Sequence, residues 1–265
     1  MSADQPVTLS TSLPLNGRTA LVTGGFSGLG WHFAHVLAQA GAQVVVAARS
    51  IERGEQLAQH ARQVHGLKMK ALALNVTNEQ SVTDVVGESA RWSGALDIVV
   101  NNAGVAQTSP ALALTDSEWK AVMDVNLDGV WRVAQHSARV MAGQTGRGGS
   151  LINVASILGL RVAQQIVAYA TSKAAVIQMT KALALEWARK GIRVNALAPG
   201  YIETELNEEF IQSDAGQALV KRVPMRRLGR LEELTGPLLL LAGEAGTYMT
   251  GSIVVVDGGH SNNSL

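Results

Sequence analysis

The sequence predicts a single α/β domain: a doubly wound parallel sheet of about seven strands with helices on both faces. Short β-branched runs alternate with segments of helical period along nearly the whole chain, the signature of strand–helix–strand units with right-handed crossovers. Several of these runs are apolar at consecutive positions, as a parallel strand covered on both faces should be. The 265 residues are 47% apolar and only 16% charged, against about 25% charged in an ordinary soluble domain, so the core is large.

The elements follow in order. Thr19–Thr23 is the first strand and leads through a glycine-rich turn into a helix at Leu29–Gln39, with Gly41 at its end. Gln43–Ala47 is the second strand, and the helix Ile51–His65 stops at Gly66. Lys70–Leu74 is followed by a helix at Asn78–Trp92, which Thr77 and Gln80 open as a capping box and Gly94 closes. Asp97–Asn101 precedes a long helix, Glu118–Met141, with Thr115 and Glu118 as its box and Gly143 as its stop. Ser150–Val154, the helix Ala168–Lys190 ending at Gly191, Arg193–Leu197, the helix Leu231–Ala242 and Ser252–Val256 complete the set. No linker or second composition regime appears, so residues 16–265 form one domain behind a flexible N-terminal tail, 1–15. Glu203–Arg230 interrupts the alternation after a strand end, where a substrate lid belongs.

Composition excludes several function classes. Lys and Arg number 22 and Asp and Glu 21, so bulk charge does not serve nucleic-acid binding. Cysteine is absent, which removes disulfides, thiolate metal sites and a cysteine nucleophile. The six histidines are scattered, with no His-Glu-x-x-His, and no metal is expected. The first 15 residues lack a secretory pattern, and no apolar run reaches the roughly 18–20 residues of a membrane span. The expectation is a cytoplasmic protein with neither membrane nor nucleic-acid partners.

Thr23-Gly24-Gly25-Phe26-Ser27-Gly28-Leu29-Gly30 lies between the first strand and the first helix. Gly24, Gly28 and Gly30 permit backbone approach to a pyrophosphate, and the helix start at Leu29 supplies N–H groups and a positive dipole end. That context makes it a Rossmann-type dinucleotide loop; a Walker A loop is excluded, since no Gly-Lys pair occurs. At the end of the second strand an acid would bond both ribose hydroxyls of NAD. Ala48 stands there instead, followed by Arg49 and Ser50. A guanidinium matches a 2′-phosphate, so NADP(H) is favoured, with NAD(H) the alternative.

Tyr169 and Lys173 are four apart on one helix face. Alone, such a pair is usually a surface contact, although a nearby ammonium would lower a phenol's pKa from about 10. Ser156, 13 residues before Tyr169, follows the fifth strand at the carboxyl edge, where open α/β sheets bind ligands. Its hydroxyl could hold a carbonyl oxygen.

Together with Asn101-Asn102-Ala103-Gly104, Asn126, Pro199-Gly200 with Thr204 and Asp257-Gly258-Gly259, these residues resemble the short-chain dehydrogenase/reductase family. The resemblance covers nearly all of residues 16–260. Within the family it is to 3-oxoacyl-carrier-protein reductases and to gluconate- or secondary-alcohol-type dehydrogenases. It implies that Tyr169 is the acid, that Lys173 tunes it and bonds the nicotinamide ribose, that Ser156 polarises the carbonyl, and that Asn126 holds a relay water. It implies cofactor contacts from Gly24, Ser27, Gly28, Leu29 and Gly30; from Asn102, Ala103 and Gly104 near the adenine ribose; and from Pro199, Gly200, Ile202 and Thr204 at the carboxamide. Asn75-Val76 replaces the family's usual Asp before an apolar residue, and the Asn oxygen can still accept from adenine N6.

The activity so implied is hydride transfer between NADP(H) and a ketone or secondary alcohol. Ile157, Leu158, Val162, Gln107, Tyr201, Leu206 and Phe210 are the expected pocket residues, which favours a small, mostly apolar ketone. One alternative is a 3-oxoacyl-carrier-protein reductase, docking its acidic carrier on Arg161, Lys221, Arg222, Arg226, Arg227 and Arg230. An alternative of another class is an inactive nucleotide-sensing regulator, which should have lost part of the Ser–Tyr–Lys set. The helices Glu118–Met141 and Ala168–Lys190 resemble the family's dimer interface, and the resemblance implies a homotetramer.

Overall fold

Seven parallel strands form one sheet in the order β3-β2-β1-β4-β5-β6-β7 in the computed structural model, which describes residues 15–204 and 212–262. The strands are β1 (Thr19–Thr23), β2 (Gln43–Ala48), β3 (Met69–Ala73), β4 (Ile98–Asn101), β5 (Gly149–Val154), β6 (Ile192–Pro199) and β7 (Ile253–Val256). The helices are α1 (Gly28–Gln39), α2 (Ile51–His65), α3 (Glu79–Ser93), α4 (Asp116–Met123), α5 (Gly129–Gly143), α6 (Val167–Trp187), α7 (Asp214–Val220) and α8 (Thr235–Ala242).

The period-2 alternation of each strand divides the core in two. Ala20, Val22, Val44, Val46, Ile98 and Val100 face one side and pack with Phe33 and Leu37 of α1, Ala58 of α2 and Leu241 of α8. Leu21, Val45, Val99, Leu151 and Val194 face the other and pack with Val82 and Val86 of α3, Val133 and Met141 of α5 and Leu183 of α6. The chain winds outward through β2 and β3, then returns to lay β4 on the other side of β1, with Val22 opposite Val100. This reversal opens a crevice beyond the carboxyl ends of β1 and β4, the topological switch point where ligands bind in such sheets.

Several local expectations change. Leu15, assigned to the tail, is buried, and its N–H donates to Ala40 O at 3.0 Å; residues 1–14 lie outside the described residues. Asn78, not Thr77, caps α3: its side-chain oxygen accepts from Ser81 N at 2.8 Å, and a short amide one residue later serves that N–H directly. The Thr115–Glu118 capping box forms as expected. Gly143 is the last residue of α5, and the chain leaves through extended Gln144, whose carboxamide bonds both Leu96 N (2.7 Å) and Leu96 O (3.0 Å). The expected helix Glu118–Met141 is two helices joined by a π turn, Asp124–Asp128.

Candidate active site

Thr23 at the end of β1 fixes the glycine loop. Its hydroxyl accepts from the N–H groups of Asn102 and Ala103, each at 3.1 Å, while the Asn102 carboxamide donates back to the carbonyls of Thr23 and Gly24, each at 3.1 Å. The loop is thus stitched to the end of β4. Gly24 has φ +63°, and a Cβ there would stand 2.8 Å from Ala103 Cα; one on Gly30 would overlap the Gly24 carbonyl. Glycine is required for this close packing. Ser27 caps α1 in extended conformation without using its hydroxyl as a cap, which leaves the helix N-terminus open.

A cavity of about 500 Å³ lies over this loop. Ser27, Gly28, Leu29 and Gly30 form its floor, Ala48, Arg49, Asn75 and Val76 one end, and Asn102, Ala103, Gly104 and Thr204 the other. No acid stands among its lining residues. Arg49 is exposed, and Ser50 caps α2 with no side-chain cap bond. The open helix end, the glycine cradle and a cationic rim together fit a dinucleotide. Asn75 Oδ1 is held locally, accepting from Thr77 N (3.2 Å) and Thr77 Oγ1 (2.9 Å). Pro199, Gly200 and Ile202 do not line this cavity. Gly200 bonds Val256 O at 2.8 Å, and Ile202 bridges to Gly229 beside a smaller cavity.

Ser156, two residues beyond β5, caps a short 3₁₀ turn, Ile157–Gly159, and its hydroxyl accepts from Leu158 N at 3.1 Å. The same hydroxyl stands near enough to the Tyr169 phenol to favour its ionisation. Lys173 is buried one turn along α6; its Nζ donates to Val154 O at 2.7 Å and lies 5.5 Å from the centre of the Tyr169 ring. Burial lowers the Lys173 pKa from 10.5 to about 8. Burial also pushes the Tyr169 phenol above 10, the Ser156 hydroxyl offsetting this only in part and the neighbouring Tyr201 adding to it. Burial dominates this shift, and Lys173, which lies beside the ring face, is not among its causes.

The π turn places Asn126 against this group. Its Oδ1 accepts from Val105 N (2.8 Å), and its Nδ2 donates to Val105 O (2.8 Å) and to Ser172 Oγ (3.2 Å). A Cβ on Gly104 would come within 3.4 Å of Asn126 Oδ1 and 3.7 Å of Lys173 Nζ, so Gly104 is the point at which the cofactor cavity meets the Ser156–Tyr169–Lys173 group. Sequence reading missed the Thr23 hydroxyl, Ser172 and Val105; position alone marks none of them.

A second cavity of about 570 Å³ begins at Ile157 and Leu158, next to Ser156. Val162 and Tyr201 line it as expected, but so do Arg161, Gln164, Arg222 and His260, and the lining is more polar than the sequence reading supposed. Gln107 is elsewhere, donating to Glu118 Oε1 at 2.6 Å. Leu206 and Phe210 lie outside the described residues.

Among the described residues no group of three or more His, Asp or Glu is placed to hold a metal, and no helix is long and apolar enough to cross a membrane. A family model described as enoyl-(acyl carrier protein) reductase matches residues 24–261. The chain is 38% identical over 245 residues to a 3-oxoacyl-acyl-carrier-protein reductase of Thermotoga maritima, covering 92% of this chain and 98% of that one. It is 36% identical over 246 residues to gluconate 5-dehydrogenase of Gluconobacter oxydans, covering 92% and 95%. A solved gluconate 5-dehydrogenase from Burkholderia cenocepacia J2315, in complex with NADP and tartrate, superposes with a TM-score of 0.90 at 38% identity over 95% of this chain and 98% of that one.

Proposed function

The chain belongs to the short-chain dehydrogenase/reductase family, and from that premise we propose that it transfers hydride between NADP(H) and a ketone or secondary alcohol. The observation that carries this reading is the grouping of Ser156, Tyr169 and Lys173 at the junction of the two cavities, the Lys173 ammonium buried 5.5 Å from the Tyr169 ring centre and the Ser156 hydroxyl close enough to act on the phenol. The glycine loop and the open end of α1 would hold NADPH, which would supply the hydride for the carbonyl carbon. Ser156 and Tyr169 hold the carbonyl oxygen from one side, and Tyr169 Oη gives it a proton. At neutral pH the phenol holds that proton, because burial raises its pKa. Lys173 serves the ribose and, when charged, the phenolate that proton transfer leaves. Asn126 acts here as a positioning residue: its side chain is engaged by Val105 and Ser172, and it holds the segment after Gly104 against α6.

Support for NADP(H) over NAD(H) rests on Arg49 and on the missing acid at Ala48. Gly24, Ser27, Gly28, Leu29 and Gly30 take the pyrophosphate, and Thr204 the nicotinamide end. The described part of Glu203–Arg230 contributes Leu219 and Arg222 to the second cavity and covers the substrate in this reading. A second reading, reduction of a 3-oxoacyl group on a carrier protein, is favoured by the similarity to the Thermotoga maritima enzyme. Its docking patch is weakened, since Arg227 pairs with both carboxylate oxygens of Glu233 (2.7 and 2.6 Å) and Arg226 bonds the Lys221 carbonyl. A panel of free ketones with NADPH and NADH tests the proposal. Consumption of reduced cofactor that Ser156→Ala abolishes is expected. Binding of cofactor without any turnover would instead favour a nucleotide-sensing protein.

A further inference from the structure

We propose that the second cavity selects a ketone bearing a carboxylate, with Arg161 as the group that receives the acid; this rests on the oxidoreductase reading above. The cavity adjoins Ser156 through Ile157 and Leu158 at one end and carries Arg161, Arg222 and His260 at the other. Tyr201 spans the two ends: it lies close enough to Tyr169 to influence its ionisation, and its ring centre is 5.6 Å from that of His260. A substrate with its carbonyl at Ser156 and Tyr169 therefore has its far end beside two guanidiniums and an imidazole.

No Asp or Glu stands among the described lining residues. The nearby carboxylate of Asp257 accepts from the backbone N–H groups of Gly259 (2.8 Å) and Ser261 (2.6 Å) and so shapes the 257–262 turn. That turn in turn fixes Arg161, whose Nη1 donates to Ser261 O at 2.7 Å. One N–H of a five-donor guanidinium is thereby used, and no other bond of Arg161 forms among the described residues. An anchored planar fork of this kind suits a carboxylate. His260 Nδ1 is buried with no hydrogen-bond partner among the described residues, an unsatisfied polar group in the wall that also carries exposed Arg161. Burial lowers the pKa of His260, which Asp257 opposes and Arg161 and Arg222 reinforce, so the imidazole is neutral at neutral pH and the positive charge of this wall is that of the guanidiniums. Gln164 adds a carboxamide suited to hydroxyl groups. The volume of about 570 Å³ accommodates a small oxo acid.

Two matched pairs test this: 4-oxopentanoate against its methyl ester, and 5-oxo-D-gluconate against L-sorbose, which has a primary alcohol where the first has the acid. The wild type should show kcat/KM at least about tenfold higher for the acid of a pair, the scale of one charge-assisted contact. Arg161→Gln should bring that ratio to within about twofold of one, and Arg161→Lys should restore part of it. Tartrate should bind the enzyme–NADPH complex in calorimetry, and Arg161→Gln should weaken it by about tenfold or more. Equal use of acid and neutral partner, or a ratio that Arg161→Gln leaves untouched, overturns the proposal while the oxidoreductase reading stands. If the wild type reduces none of the four ketones, that reading fails, and the anion site is then decided by tartrate alone: Arg161-dependent binding supports it, and Arg161-independent or absent binding overturns it.

Discussion

The ring of Phe26 lies directly on the Cα of Gly54, so that a methyl group on Gly54 would overlap three ring carbons. Phe26 belongs to the glycine loop and Gly54 to the first turn of α2, just past Arg49 and Ser50. The contact therefore sets the distance between the pyrophosphate cradle and the residues expected at the 2′-phosphate. Gly54→Ala should displace Phe26 and with it the loop. KM for NADPH should rise several-fold while kcat changes little, and overpacking should cost about 1–3 kcal/mol of stability. Phe26→Leu in the same chain should recover part of both, read from cofactor kinetics and the melting temperature. If the double variant is no better than Gly54→Ala alone, the ring contact is not what positions the loop.

Arg49→Ala tests cofactor choice. Loss of one charge-assisted bond to a 2′-phosphate costs about 1.5–3 kcal/mol. The ratio of kcat/KM for NADPH over NADH should therefore fall by roughly tenfold or more. NADH kinetics should scarcely move, because NADH carries no group for the guanidinium. An unchanged ratio would remove Arg49 from the cofactor site.

Most of the architecture is legible in the sequence because it rests on local pattern. Consecutive β-branched runs, the glycine stops at Gly66, Gly94 and Gly191 and the Thr115–Glu118 box are read from neighbours in the chain, and the structure keeps them. The features that escape are those set by partners distant in sequence. The π turn at Asp124–Asp128 has no signature within the helix, and its Asn126 is held by Val105 and Ser172, 21 and 46 residues away. Thr23 reads as an ordinary strand residue until Asn102 and Ala103, 79 and 80 residues on, fold onto its hydroxyl. The polar end of the second cavity assembles from the β5–α6 loop, the segment just after α7 and the C-terminal turn. The depressed Lys173 and raised Tyr169 reflect burial, which motif spacing does not convey.

Lys173 supplies a prediction about stability. Its folded pKa of about 8 lies below the ordinary 10.5, so between these values the unfolded chain binds more protons than the folded one. Stability from this residue consequently rises with pH across that window. Comparing wild type with Lys173→Met by denaturant unfolding cancels the other titrations. The difference should move in favour of the wild type by about 3 kcal/mol as pH rises from about 7 to about 10.5. A flat difference would mean that the buried ammonium carries no desolvation cost.

Assembly is a further expectation. Trp131 on α5 and Val167 and Leu185 on α6 expose apolar surface, Leu185 to 84%, on the two helices that resemble the family's dimer face. Light scattering at micromolar concentration should give a homotetramer. A stable particle near 27.9 kDa would exclude it.

Tyr169→Phe addresses the chemistry itself. The ring keeps its packing on α6 while the phenol hydroxyl beside Ser156 is lost, so NADPH affinity should be nearly unchanged and turnover should drop by about 10² or more, the usual contribution of a positioned general acid. Lys173→Ala should lose both turnover and cofactor affinity, because one ammonium serves the phenol and the ribose. The sign of the phenol shift bears on direction. With its pKa pushed above 10 by burial, Tyr169 stays protonated through neutral pH, which suits carbonyl reduction; alcohol oxidation needs the phenolate, so its rate should climb with pH. Cofactor titration by fluorescence, single-turnover reduction and a pH–rate profile for oxidation separate these effects. Retention of more than about a tenth of the wild-type rate in Tyr169→Phe, where a lost general acid should cost about 10², would mean that another group delivers the proton. In that case the Ser156–Tyr169 contact would be structural only.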